Sequence, residues 1–482
     1  MTDDLLTRFL ALSPADRRQL LSGDAGPTGP RASQIPAAPR GPWPVRLPVS
    51  PGQQAQWMMW RMAPDSVTYH VPACYEITGP LVPALLIKAV NAVVARHEIM
   101  RTTYAQEGVR VMQVIHRDLP ADVRIGTAGS REEAVALAAV AAREPFDLRN
   151  GPLVRVRLWR FAPRRHLLLL LLHHITVDER SSRILERELA VYYRAAVCEQ
   201  PAALPPLPVQ YGDYAVWQRT LDSDADLVYW SKQLRGAKDM RLPSDHPWPA
   251  VSTLPGATVQ LPLPHGREAL ADLSARLGGT PFTALAAAFA VFLAGETGTD
   301  DVLFGCPVAC RTDSAIAELI GYFMNSVVLR IRTAPSVTFA ELATEARDVV
   351  GGALRHQAAQ FHDVVTAVGA KPGAFHNPLF DAMLVFLSGD QTGHHASLAP
   401  DLPMRPVILP MPNAHRYITF TVVEEPSAAT LTVHYPSEAY TSSTVERWAG
   451  RLSRVIARAA AEPTKTVADL VSSPGTLEHT GR

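Results

Sequence analysis

The chain has 482 residues, 47% of them hydrophobic, which supplies a large core and is too long for one ordinary domain of roughly 100–200 residues. Lys plus Arg and Asp plus Glu both total 46, so the net charge is zero and nothing suggests the basic surface that a nucleic acid or an anionic membrane demands. The four cysteines, Cys74, Cys198, Cys306 and Cys310, have neither the spacing of a zinc site nor the density of a disulfide framework. They read as free thiols of a reducing cytoplasm, with no metal expected.

In chain order, Met1 is followed by acidic rather than basic and apolar residues, so no secretory signal is predicted. Residues 3–22 read as short amphipathic helices with Leu5, Leu6, Phe9 and Leu10 on one stripe, either docking a partner or packing on themselves. The Pro- and Gly-rich residues 23–46 read as a linker, with the folded part beginning near Leu47. Leu85, Ala89, Ala92 and Val93 recur at helical spacing before Arg96-His97-Glu98, and a strand should follow. Residues 154–159 alternate apolar and charged, the pattern of a strand buried on one face. Residues 167–172 are leucine throughout, a central strand far shorter than the roughly 20 residues that span a bilayer. It ends at His173 and His174. Helical spacing resumes through Ile184, Leu185, Leu189, Val191 and Tyr192, which places the histidines on a strand-to-helix loop.

Residues 200–256, broken by prolines, read as a long connection between halves. Beyond it, helices are predicted over 281–294, 339–354 and 443–461, and strands over 302–304, 326–331, 383–387 and 429–435. The class is α/β (α+β) with two sheets. The expected division is a lobe over 47–235, a second over 236–475 and a disordered tail over 476–482.

Adjacent strand residues point in different directions, so only one of His173 and His174 can face a given cavity. A histidine facing a cavity accepts a proton near neutral pH, and Asp178 four positions on suits a helix start. Local chemistry alone allows a second reading, in which both rings are satisfied packing residues and Asp178 is a plain N-cap.

Resemblance separates the two. His173-His174-Ile175-Thr176-Val177-Asp178 resembles the HHxxxDG motif of nonribosomal peptide condensation domains and the chloramphenicol acetyltransferase-like superfamily. Ser50-Pro51-Gly52-Gln53-Gln54 with Trp57 resembles the opening S-x-A-Q-x-R-x-W element, and Arg96 to Thr102 the R-H-E-x-L-R-T element. Tyr211 to Gln218 is similar to Y-x-D-(Y/F)-A-x-W-Q, and Ile320 to Asn325 to I-G-x-F-x-N. His356-Gln357 and Asn377-Pro378-Leu379-Phe380 resemble the last two, giving seven segments in order.

The resemblance implies a V-shaped pair of chloramphenicol acetyltransferase-like lobes around a tunnel, with an acyltransferase activity in nonribosomal peptide assembly. A donor carrier protein would deliver an acyl or peptidyl thioester on a phosphopantetheine arm, and the acceptor would be carrier-bound or a free small molecule. No bound cofactor is implied, and the enzyme is expected to be a monomer. His174 is the implied catalytic residue, supported by His173, Asp178 and Arg311, the last two as an ion pair. Glu179, Tyr322, Asn325 and Ser326 are the candidates for the tunnel wall; Asn325 equally suits a turn cap.

Glu179 stands where the motif has glycine, either pointing to solvent from the first helical turn or charging the acceptor side. Ala55 and Cys310 depart more mildly, from the usual Arg and Gly. No adenylation or carrier segment is recognisable, which suits a free-standing enzyme or an excised domain, and the Met1 leader points to the former. An acyl-CoA-dependent acyltransferase and a non-catalytic recruitment platform are the rival functions, and the residues do not separate amide from ester formation.

Overall fold

The computed structural model describes residues 35–248, 254–371, 377–388, 397–409, 413–415, 417–424 and 428–472. The leader at 1–22 and the tail at 476–482 lie outside the described residues.

The leucine run is the axis of the first half. Strand Arg165–His173 lies between antiparallel partners His70–Thr78 and Val154–Ala162 in a six-stranded sheet. Side chains alternate across a strand, so the run feeds two cores. Leu168, Leu170 and Leu172 join the cluster under helices Pro83–Arg96 and Glu179–Val197, while Leu167, Leu169 and Leu171 join one with Trp57, Trp60 and Phe146. All six are fully buried, each worth about 1.5–3 kcal/mol of burial. A smaller sheet orders Val45–Pro48, Arg110–Ile115 and Thr102–Glu107.

The second half surrounds helix Pro281–Thr297, buried on every side from Thr283 to Leu293. Thr280 caps its start, and Gly298 ends it at φ 68°, a left-handed conformation suited to glycine. Around it runs a seven-stranded sheet ordered Met324–Arg332, Asp301–Ala309, Ala382–Leu387, Ile418–Glu424, Ala429–Pro436, Leu254–Pro262 and Asn413–Ala414. Among the described residues no single helix is long and apolar enough to cross a membrane.

Three features differ from the expectations. There are three sheets among the described residues rather than two, and the six-stranded one is shared between halves. Ser397–Ala399 and Leu402–Pro406, from the second half, extend it beyond His70–Thr78, with Leu398, Leu402 and Met404 entering the first core. Of the linker expected over 23–46, the described residues 35–46 are tied to the folded part. Ile35 and Ala38 are buried, the Ala38 amide donates to Asp213 Oδ1 at 2.9 Å, and Arg40 pairs with Asp213 and Glu98. Long-range partners supply the order that local composition lacks. Finally, the connection at 200–256 contains helices Tyr211–Gln218 and Asp224–Gln233, whose Tyr211 and Trp230 enter the first and second cores respectively.

Candidate functional site

Strand Arg165–His173 ends in a single 3-10 turn, His174–Thr176, before Asp178 caps helix Glu179–Val197. The two histidine rings part there. His173 is 2% exposed, with its ring edge-on to Phe146 and His70 and its Nδ1 accepting from the Ile175 amide at 3.1 Å. Burial, then the neighbouring His70 and His174, hold its pKa well below the usual value, so it stays neutral.

His174 is half-buried. Its backbone amide donates to the Tyr69 carbonyl at 2.8 Å, and its Nδ1 lies 2.7 Å from the Val177 carbonyl. A carbonyl oxygen only accepts, so Nδ1 carries the hydrogen and Nε2 presents a lone pair. Burial lowers its pKa and the Val177 carbonyl partly opposes this, so the ring is neutral and able to accept a proton at neutral pH. Tyr322 stands edge-on to it, with ring centroids 5.3 Å apart at 89°.

Asp178 is held from both halves. Oδ1 accepts from the Ser181 amide at 2.8 Å and from Arg311 Nη2 at 3.0 Å, while Oδ2 accepts from the Phe323 amide at 3.1 Å. Arg311 Nη2 also reaches Ser181 Oγ at 2.7 Å, Nη1 donates to the Ile316 and Leu319 carbonyls, and the guanidinium lies 4.0 Å from the Phe323 ring centroid. Asp178 is thus both a helix cap and half of an ion pair between halves.

The matched sequence segments converge on this pair. Tyr211 donates its hydroxyl to the Tyr322 carbonyl at 2.6 Å and contacts Ser50 Oγ at 2.9 Å. His97 Nε2 lies 2.8 Å from Glu188 and its Nδ1 faces the Ile320 amide. Gln53 Nε2 donates to the Tyr104 hydroxyl at 2.8 Å and points to the Ile175 carbonyl. A Cβ at Gly321 would fall 2.1 Å from Tyr211 Cδ2, so only glycine admits this contact. Among the described residues the segments with His356 and Asn377 make no side-chain hydrogen bond to Asp178 or Arg311, though the Gln357 carbonyl accepts from Asn325. His356 meets Asp226 at 2.7 Å and stacks on Tyr229, and Asn377 Oδ1 accepts from the Leu379 amide.

For Asn325 the hydrogen bonds match the second of its two readings, the turn cap. Its Nδ2 donates to the Gln357 and Ala359 carbonyls at 2.9 and 2.7 Å, and its Oδ1 accepts from the Ser326 and Phe361 amides. Every hydrogen-bonding position of the amide is occupied by backbone, as a turn cap requires. Ser326 is half-buried on the same strand, its amide held by Asn325.

Glu179 occupies the first helical position with 54% of its side chain exposed, 3.8 Å from Arg183 one turn on. The protein around it still raises its carboxyl above the usual range, through burial first. Beside it Tyr75 donates its hydroxyl to Glu186, whose carboxyl is also pushed up by burial.

Sequence reasoning missed several neighbours. His415 stacks on Tyr417 at 5.0 Å and 6° and contacts Tyr69 at 5.5 Å, and burial pushes its pKa down to about 3. His434 and then His174 add smaller contributions in the same direction. Nothing in the local pattern around His415 signals this. A cleft of about 430 Å³ opens between halves, lined by Pro51, Gln54, Trp217, Cys310, Gln357 and His362 among others. Among the described residues no cluster of three or more His, Cys, Asp or Glu is placed to hold a metal ion.

The condensation-domain family profile matches residues 45–476. Phosphinothricin tripeptide synthetase PhsC of Streptomyces viridochromogenes is 33% identical over 477 residues, which cover 96% of this chain and 43% of that protein. A linear gramicidin synthase component of Brevibacillus parabrevis is 38% identical over 353 residues, 71% of this chain and 7% of that one. The chain therefore spans less than half the length of these relatives. Among solved structures, the X-domain in its complex with OxyB from teicoplanin biosynthesis superposes with a TM-score of 0.80 at 25% identity, covering 93% of this chain and all of that one. The condensation domain of the monacolin K polyketide synthase MokA superposes at 0.78 and 22% identity, covering 88% and 99%, which shows the shared chloramphenicol acetyltransferase-like fold.

Proposed function

The chain belongs to the condensation-domain family, and from that premise we propose that it transfers an acyl or peptidyl group from a carrier-bound thioester to an amine or hydroxyl acceptor. The observation that carries this reading is the tautomer of His174. With Nδ1 tied to the Val177 carbonyl, Nε2 keeps a lone pair beside Tyr322, where a nucleophile can lose its proton. The acceptor nitrogen or oxygen attacks the thioester carbonyl, the new C–N or C–O bond forms, the C–S bond breaks, and the proton taken by His174 goes to the departing thiolate. Holding both reactants beside this ring supplies proximity, worth roughly 7–11 kcal/mol for well-aligned groups.

Asp178, Arg311 and Ser181 keep the histidine turn in register with the second half and touch no reacting atom. The phosphopantetheine arms of donor and acceptor carrier proteins would bring the reactants, and Glu179, charged and water-accessible near the turn, favours a cationic or free small acceptor over a carrier-bound one. The chain acts as a cytoplasmic monomer, which suits its free thiols.

The likeness to the X-domain seen in complex with OxyB, together with Glu179 in place of glycine, favours one second reading, a recruitment platform without chemistry. The test is mass spectrometry of a carrier protein loaded with a donor acyl chain and incubated with candidate acceptors. Transfer that disappears in His174→Ala supports catalysis. Product formation in the full pathway that ignores the same substitution selects the platform.

A further inference from the structure

The histidine turn has an aromatic side that the proton transfer at His174 does not use. Tyr69 precedes strand His70–Thr78, and its carbonyl accepts from the His174 amide at 2.8 Å, which fixes it beside the turn. Its ring meets that of His415, with centroids 5.5 Å apart at 59°. His415 comes from the second half: it follows Asn413–Ala414, which pairs with Leu254–Pro262, and it stacks on Tyr417 at the entry to strand Ile418–Glu424. Behind Tyr417 lies Phe380, 6.1 Å away and fully buried.

Tyr69, His415 and Tyr417 are each half-buried, so all three rings keep surface open to solvent. Contiguous aromatic surface beside a reacting group marks a ligand wall. The near-parallel stack of His415 on Tyr417, at 6°, sets the plane of the imidazole, and Phe380 backs the stack from the core. His415 carries no charge at neutral pH, because burial pushes its pKa down to about 3, so its ring offers an uncharged face.

We propose that Tyr69 and His415 are specificity-determining residues that hold an aromatic group of the acyl donor, one ring being supplied by each half. This rests on the transfer reading above. Glu179, assigned there to acceptor choice, opens the helix beyond the histidine turn, whereas Tyr69 stands at the turn's first residue. The aromatic wall is thus left for the other reactant, the donor. An aryl ring against Tyr69 and His415 gains stacked or edge-on contacts at centroid distances of about 4.5–7 Å in addition to burial. An alkyl chain of equal carbon number gains burial alone.

The test loads one carrier protein with a benzoyl or a heptanoyl group, equal in carbon number. Transfer to an amine acceptor, and binding of the loaded carrier without acceptor, are measured for the wild type, His415→Ala and His415→Phe. We expect His415→Ala to lower the benzoyl-to-heptanoyl ratio of kcat/KM by about three- to tenfold, through KM, and His415→Phe, which keeps a ring, to restore it. An unchanged ratio in His415→Ala overturns the proposal, as does equal loss with both donors together with a lowered melting temperature, the mark of a packing role. A shift between benzylamine and heptylamine as acceptors, with the donor ratio fixed, also overturns it, because it gives the wall to the acceptor. A wild-type protein that transfers neither group removes the transfer reading. In that case binding that prefers the benzoyl-loaded carrier, and loses the preference in His415→Ala, supports the aromatic wall, whereas binding without preference overturns it as well.

Discussion

Asp178 and Arg311 stand 133 positions apart and meet at 3.0 Å, with side chains 2% and 3% exposed. The guanidinium that neutralises Asp178 is also committed to the Ile316 and Leu319 carbonyls and to Ser181. It therefore holds the helix cap, the histidine turn and the second half at one point. Arg311→Ala leaves the Asp178 carboxylate buried beside apolar neighbours and should destabilise the protein by about 3–5 kcal/mol. Guanidinium denaturation of Arg311→Ala, Asp178→Ala and the double variant checks this, the expected result being a double variant far less destabilised than the sum of the singles.

The two histidines should separate in their variants. His174→Ala removes the free lone pair from a half-buried ring and should lower single-turnover transfer about 10²–10⁴-fold while the melting temperature changes little. His173→Ala empties a site packed by Phe146 and His70 and should lower the melting temperature first.

Stability should fall on acidification through His70. Its Nδ1 donates to the Ala142 carbonyl, its Nε2 is buried without a hydrogen-bond partner among the described residues, and burial pushes its pKa from 6.5 down to about 4. Below pH 6.5 the unfolded chain binds a proton that the folded protein refuses, so stability is full above 6.5 and is lost as pH falls towards 4. Between pH 6.5 and pH 5 the loss from this one group is about 2 kcal/mol. Urea unfolding at neutral and acidic pH measures it, and His70→Gln should flatten the dependence.

Glu179 should be replaceable. Its carboxylate is half in water and its only ion pair among the described residues is the 3.8 Å contact with Arg183, so Glu179→Gly should cost no more than about 1 kcal/mol, chiefly through helix propensity and the lost helix-dipole interaction. Its effect should fall on acceptor choice, raising turnover of a carrier-bound aminoacyl acceptor relative to a free cationic one. Equal turnover in both proteins would remove Glu179 from acceptor selection.

Much of the fold was legible locally because burial leaves a periodic record. The six leucines before His173 announced a strand with a core on each face, and Ile184, Leu185 and Leu189 a helix after the turn. That order of elements, with the two histidines and a carboxylate at the junction, belongs to the sequence. What an individual polar group does with its hydrogen bonds was decided only in three dimensions. Asn325 spends its amide on the carbonyls of Gln357 and Ala359, and Val177 selects the tautomer of His174. The same holds for residues 397–406, which complete a sheet begun more than 300 positions earlier, at His70. Periodicity reports which side of an element is apolar, whereas these pairings depend on which distant backbone groups the closed fold brings within about 3 Å.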